Sequence, residues 1–427
     1  MKEKSKLTKL EKSWILYDVG NSAFILLAST LLPIFFNAIA SADGINEEMY
    51  LSYWSYAAAI ATALVSIIGP ICGTLADRPG YKKPIFLVFM LLGALSCMAL
   101  GIAKSWIVFL GIYILAKVGF SSSLVFYDAM LIEVTDEEKM DRVSSAGYAY
   151  GYIGSVIPFV ICLVLVLFPE IFGMTQQTAM VISFLLTGIW WIVCTLPLLR
   201  RYKQPVSNRE KLPLRNTFGE LGNTLRHAAQ HKNILCYLIA FFFFINGVYT
   251  IMDMATAYGT ALGLETNGLL LALLLTQVVA FPSTIIFGKL SSKIAAGKLM
   301  KICILCYSGV ALFAVFLVSQ WQFWVLAVMV GCFQGAIQAL SRSYMSKIIP
   351  AERSGSYFGL MDICGKGAAF LGTLLVGVIN QATIGLEIPK IFGLQLQNEN
   401  IAVGALLVLF IIGYILFCKA DKMNENA

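Results

Sequence analysis

Long apolar runs separated by short charged loops dominate this chain. Runs of roughly 18–25 apolar residues, enough to cross about 30 Å of hydrocarbon, predict twelve helices. The first six cover 14–40, 52–76, 84–103, 106–130, 143–168 and 177–199, and the second six cover 233–258, 267–291, 299–318, 322–345, 355–380 and 400–419. The one long polar stretch, from Arg200 to Lys232, falls midway and carries Arg200, Arg201, Lys203, Arg209, Lys211, Arg215 and Arg226 with Pro205 and Pro213. The expected organisation is a six-helix bundle over 1–200, a basic linker over 201–232 and a second six-helix bundle over 233–427. Within the linker, Thr217 to His231 reads either as a helix lying along lipid headgroups or as a solvated tether.

The loops repeat as well as the helices. Gly288, Leu290, Lys293 and Lys298 echo Gly73, Leu75, Arg78 and Lys83 at an offset of 215 residues, and the same offset sets Ile349 and Glu352 on Val134 and Glu137. Two loops agreeing on one register imply a duplicated, pseudo-symmetric all-α membrane protein, an arrangement common among transporters. Glycines at helical spacing, Gly147, Gly151 and Gly154 in the fifth helix and Gly365 and Gly372 in the eleventh, predict close helix contacts. Pro33, Pro70, Pro158 and Pro282 are expected to bend their helices.

Composition agrees: 59% of the 427 residues are hydrophobic and mean hydropathy is +0.79, more apolar side chain than a water-soluble domain could bury. Of the 31 Lys and Arg, all but Lys104, Lys117, Lys366 and Lys390 fall in alternate segments beginning at the N-terminus. That asymmetry places both termini and the linker in the cytoplasm. It also accounts for the net charge of +7 and leaves no case for nucleic-acid binding. Lys2, Lys4, Lys6, Lys9 and Lys12 precede an apolar run too long for a signal-peptide core, so the first helix reads as a retained anchor. Cys303 and Cys306 form the only Cys-x-x-Cys and read as small hydrophobes, because no other thiol or His is placed to complete a metal site. No metal or cofactor is expected. With no His-Glu-x-x-His, Gly-x-Ser-x-Gly or nucleotide loop, neither is an enzyme.

The run Gly73-Thr74-Leu75-Ala76-Asp77-Arg78-Pro79-Gly80-Tyr81-Lys82-Lys83 resembles the signature loop between the second and third helices of the major facilitator superfamily. The resemblance implies the twelve-helix fold of that superfamily. It also implies that Gly73, Asp77, Arg78, Gly80 and Lys83 form a latch on the cytoplasmic side when the carrier faces outward. Further stretches, Trp14 to Phe24, Phe126-Tyr127-Asp128-Ala129 and the run from Gln334 to Gly372 with its block Gln338-Ala339-Leu340-Ser341-Arg342-Ser343, are similar to the branch typified by the fungal vacuolar amino-acid effluxer of autophagy. This chain has Val19-Gly20 where that branch shows Trp-Ala, and Asp128 where Asn is common.

An ionisable group in hydrocarbon costs at least about 2.5 kcal/mol, so each must face a partner or a wet cavity. Lys117 lies about 16 Å into the fourth helix, near the bilayer midplane. It is suited to hold a substrate carboxylate or to pair with a neighbouring helix. Asp128 follows three turns along the same face. Asp18 and Asn21 share a face of the first helix, Asn246, Tyr249 and Asp253 one of the seventh, and Gln334, Gln338 and Arg342 one of the tenth. In the superfamily the first, fourth, seventh and tenth helices line the cavity, so these ten residues are the candidate translocation path. Asp362 and Lys366, an i, i+4 pair on the eleventh helix, read as a structural or state-change pair. The expected function is secondary transport by alternating access of amino acids or similar small polar metabolites, with protons as a candidate coupling ion, in a bacterial plasma membrane. The alternatives are a carrier of drugs or lipid-like compounds and a non-transporting membrane sensor.

Overall fold

The computed structural model describes residues 6–45, 47–205, 217–383, 396 and 398–425, apart from a few side chains within the helices. Lys2, Lys4, Lys390 and the middle of the basic linker, with Arg209, Lys211, Pro213 and Arg215, lie outside the described residues. Among those described, twelve spans are long and apolar enough to cross a membrane, and no strand occurs. They are α1 (Lys9–Ala42), α2 (Glu47–Ala76), α3 (Lys82–Ala99), α4 (Trp106–Ala129), α6 (Glu137–Leu167) and α7 (Gln176–Arg201), then α9 (Lys232–Ala261), α10 (Thr266–Leu290), α11 (Ala296–Val315), α12 (Gln320–Ile348), α13 (Ser354–Thr383) and a pair, α14 (Asn398–Gly404) and α15 (Leu406–Glu425). A short α5 (Leu131–Val134) precedes α6, and α8 (Thr217–Gln230) occupies the end of the basic linker.

Several helices outrun their apolar cores. Helix α1 begins five residues early because Thr8 and Glu11 form a reciprocal cap, Glu11 N donating to Thr8 Oγ1 at 3.1 Å and Thr8 N to Glu11 Oε2 at 2.6 Å. Helix α6 begins at Glu137 rather than 143, its first turn carrying Glu137 and Glu138 where the helix dipole favours anions. The last span, expected to be continuous, breaks at Ala405. Pro33, Pro70, Pro158 and Pro282 all lie inside their helices.

The described residues form two compact units. One comprises Met1–Val143, Tyr150–Leu221 and Pro350–Gly359, the other Ser144–Ala149, Gly222–Ile349 and Leu360–Ala427. Each unit therefore contains a short segment from a helix that belongs mainly to the other half of the sequence. In the first unit α1 packs on α7, α2 on α4, and α3 on both α4 and α7. The second unit repeats the scheme, with α9 on α15, α10 on α12, and α11 on α12 and α15.

Glycine sets the closest approaches. A Cβ on Gly119 would lie 2.2 Å from Gly93 N, so α3 and α4 cross backbone to backbone. On α6, a Cβ on Gly151 would come within 2.9 Å of Ser22 Oγ and one on Gly154 within 2.5 Å of Val19 Cγ1, both on α1. The equivalent seam in the second unit sets Gly372 of α13 against Asn246 of α9, 2.0 Å from where a Cβ would reach the amide oxygen. Gly20, the local departure from the related branch, lets α7 approach: its Cβ would sit 2.8 Å from Cys194 Cβ. Outward positions remain apolar. Ile67, Val88, Ile107 and Ile415 are each at least 60% exposed, which only a lipid solvent tolerates at such density.

Two glycines on α4 provide a test. Gly119→Val is expected to destabilise the protein by roughly 1–3 kcal/mol or more, since neither backbone can retreat. Gly111→Val, with nothing within 4 Å of its Cβ, is expected to leave stability unchanged. Thermal unfolding in detergent compares them, and equal melting temperatures would refute the tight crossing.

Candidate functional site

The signature loop folds around the start of α13. Gly73 on α2 meets Gly355, and a Cβ on either would fall 2.3 Å from the other's carbonyl oxygen. That contact brings Asp77, 4% exposed, onto the first turn of α13. Gly355 N donates to Asp77 Oδ1 at 2.7 Å, while Ser356 N and Oγ donate to Oδ2 at 3.0 and 2.6 Å. First-turn amides have no partner within their own helix, so a carboxylate here satisfies two of them and meets the positive end of the helix dipole. Gly80, at φ +83°, makes the turn that reverses the chain into α3. Arg78 is partly buried and its carbonyl accepts from Gln204 Nε2 at 2.9 Å, while Lys83 Nζ donates to Tyr202 O at 3.2 Å.

The residue at the centre of this cluster is one that sequence reasoning did not single out. Lys82, 1% exposed, donates from Nζ to Glu133 Oε1 at 2.6 Å and to Ser354 Oγ at 2.9 Å. Tyr202 donates its hydroxyl to the other oxygen of Glu133. Burial and the Glu133 carboxylate push the Tyr202 hydroxyl up, so it remains a donor at physiological pH. Two adjacent lysines in a basic loop look alike in sequence, and only packing distinguishes the enclosed Lys82 from Lys83.

On α1 and α4 the two aromatic stretches singled out in the sequence become one structure. Trp14 and Tyr127 stack with ring centroids 4.2 Å apart, and Trp14 Nε1 donates to Tyr127 O at 3.0 Å. Tyr127 donates its hydroxyl to Asp18 Oδ2 at 2.9 Å, Asn21 Nδ2 lies 3.4 Å from Asp18 Oδ1, and the Tyr17 and Ser123 hydroxyls pair at 2.7 Å. Asp18 and Asn21 are thus brought together and enclosed. Lys117 and Asp128 are partly buried on α4. Eleven residues, about 16 Å of helix, separate them, so they do not form one pair.

In the second unit Asn246 is buried and its Oδ1 accepts from Thr250 at 3.3 Å, Tyr249 is partly buried and Asp253 is exposed. Gln338 Nε2 donates to Gln334 O at 3.1 Å, and the Gln334 amide nitrogen is buried with no hydrogen-bond partner among the described residues. Arg342, 3% exposed, donates to Ser144. Asp362 and Lys366 form an ion pair. No group of three or more His, Cys, Asp or Glu among the described residues is placed to hold a metal ion.

Solved structures share this architecture. The major facilitator superfamily transporter FucP in the outward conformation superposes with a TM-score of 0.69 at 15% identity, covering 96% of this chain and 97% of that one. A bacterial homologue of the iron transporter ferroportin, in an outward-facing state, gives 0.68 at 12% identity over 97% and 98%. The twelve candidate spans therefore define a multi-pass helical membrane protein that shares the fold of those transporters. Residues 8–422 match the family described as vacuole effluxer Atg22 like, and the chain belongs to it. Among its relatives, an uncharacterized MFS-type transporter of Bacillus subtilis, YxiO, is 37% identical over 99% of this chain and 97% of that protein. Autophagy-related protein 22 of Kluyveromyces lactis is 23% identical over 87% and 88%.

Asp77 generates a pH prediction. Burial pushes its carboxyl up to about 6, against the charge of Lys82 and the hydrogen bonds from Ser356 and Gly355. The folded protein then holds a proton that the unfolded chain has already lost between the ordinary carboxylate range and about 6. This group's contribution to stability therefore falls as pH rises through that window and is level above it. Asp77→Asn removes the slope, so the melting temperature of wild type relative to the variant should decline from about pH 4.5 to 6.5. A constant difference would show an ordinary carboxyl.

Proposed function

We propose that this chain is a secondary carrier for amino acids or similar small polar metabolites, working by alternating access. The observation that carries the reading is the distribution of polar groups. Asp18 and Asn21 lie on α1, Lys117 and Asp128 on α4, Asn246, Tyr249 and Asp253 on α9, Gln334 and Gln338 on α12. These are the first and fourth spans of each repeat, and a greasy substrate needs no such set. Lys117 is the proposed contact for a substrate carboxylate, since it sits mid-helix and is only partly buried. The unpaired amide nitrogen of Gln334 supports a polar substrate, because an unsatisfied buried donor costs about 1–3 kcal/mol that a ligand oxygen can recover. The family description, vacuole effluxer, supports export of a solute.

In this reading Asp77, with Lys82 and Glu133, is the latch. It holds Pro350–Gly359 in the first unit in one state and releases it in the other. The charge asymmetry of the loops supports both termini in the cytoplasm, and the 37% identical relative from a bacterium supports a bacterial plasma membrane. Asp128, a partly buried carboxylate on the path, is the proposed proton site if transport is proton-coupled.

Counterflow of a labelled amino-acid panel into liposomes tests the reading. Wild type is expected to exchange at least one member, and Lys117→Ala to reduce that exchange by tenfold or more, since truncating one side of a buried charge pair costs about 2–5 kcal/mol. Stimulation by a pH gradient that is lost in Asp128→Asn would establish coupling at that residue. No counterflow of any amino acid by folded protein would overturn the substrate class and favour an apolar substrate or a sensor.

A further inference from the structure

The block from Gln338 to Ser343 is the most distinctive run in the chain, and its arginine is not placed as a substrate ligand would be. Arg342 Nε donates to Ser144 Oγ at 2.9 Å, Nη2 donates to Ser144 O at 2.9 Å, and the guanidinium carbon lies 4.4 Å above the ring of Tyr148. Ser144 and Tyr148 are one turn apart on α6, so the guanidinium lies along a single helical turn. Ser144 Oγ in turn donates to Ala339 O at 2.7 Å, closing a ring that runs from Arg342 to Ser144 and back to α12 three residues upstream. Two residues along the block, Ser341 O accepts the hydroxyl of Tyr237 from α9 at 2.7 Å. The block thus serves as an acceptor and donor surface for neighbouring helices.

We infer that this block is a clasp for α6 and that Arg342 is a positioning residue within it. The grouping of the chain agrees with these contacts. Residues Ser144–Ala149 cluster with the second unit, whereas the parts of α6 before and after them cluster with the first. That stretch of the unbroken helix α6 is the one Arg342 and Ala339 hold. The clasp requires arginine: a fork that reaches two oxygens of one residue and a flat face that covers an aromatic ring are properties an ammonium lacks. Its release frees Ser144–Ala149 from α12 in the state change, which rests on the alternating-access reading above.

Hydrogen exchange of the purified protein in detergent, read by mass spectrometry over α6, tests the clasp without any substrate. Arg342→Lys and Ser144→Ala are each expected to speed exchange at 144–149 by about tenfold, the value of a charge-assisted hydrogen bond. The double variant should be no faster than the faster single one, because both remove the same interaction. Exchange unchanged in both single variants, multiplied in the double, or raised evenly across α9, α12 and α15 would overturn the proposal. A substrate-binding Arg342 makes the opposite prediction: Ser144→Ala would leave the KM for counterflow unchanged while Arg342→Lys raised it. Absence of counterflow in wild type would sink the transport reading alone, since the exchange result stands without it.

Discussion

Hydrocarbon offers no hydrogen-bond partner, and that constraint orders the rest of this structure. Backbone groups meet it by helix formation throughout the spans. Hydroxyl side chains meet it locally: Thr62, Ser66, Ser183, Thr187 and Thr284 each donate to the carbonyl four residues back, so they burden no neighbouring helix. Some charged and amide side chains pair along their own helix, as Asp362 does with Lys366, and others take partners from a second helix. Asp18 takes the hydroxyl of Tyr127 from α4, and Arg342 takes both oxygens of Ser144 from α6. Each such cross-helix polar contact ties a particular pair of helices. Glycine seams such as Gly93 with Gly119 bring the backbones close enough for those contacts to form.

Asp77 and Arg342 grip corresponding spans of the repeat, α13 and α6. Their chemistry is complementary rather than copied. At α13 the exposed group is the amide end of a helix, and a carboxylate, Asp77, holds it. At α6 the hold is made within the helix, where the offered groups are oxygens, and a guanidinium answers. An ancestral duplication repeats helices and loops, but a helix start and a helix interior present opposite partial charges, so the residues that grip them cannot be the same. The loop echo at 215 residues retains Gly288, Leu290 and basic residues, and the position matching Asp77 is Ser292.

Much of the fold was legible because lipid makes it so. A run long enough to span hydrocarbon has one available structure, and all twelve spans form where the apolar runs predicted them. Two of the misplaced boundaries come from polar residues that extend a helix past its apolar core, as the Thr8 and Glu11 cap does for α1 and the acidic first turn does for α6. The site was legible in type and less so in partnership. Asp77 and Gly73 announce themselves by motif, but nothing in the sequence tells Lys82 from Lys83, because burial depends on where Glu133 and Ser354 arrive from 51 and 272 residues away. Trp14, Tyr127 and Asp18 lay in separate stretches of resemblance, and their union in one cluster is a tertiary fact.

Burial also sorts the polar positions that the sequence grouped together. A residue that recognises a transported solute has to be reachable in some state without dismantling its own helix pair. Asp18 is 5% exposed with its carboxylate tied into the contact between α1 and α4, and Arg342 is 3% exposed with its fork spent on α6. Either could reach a ligand only by surrendering an interaction that holds two spans together, at a cost of about 1.5–3 kcal/mol for each charged hydrogen bond. Lys117 and Asp128 are on the same face of α4, remain partly accessible, and lie too far apart to neutralise each other. Charge in a span is costly to keep, and Lys117, mid-helix and partly accessible, is the position we propose for a substrate carboxylate.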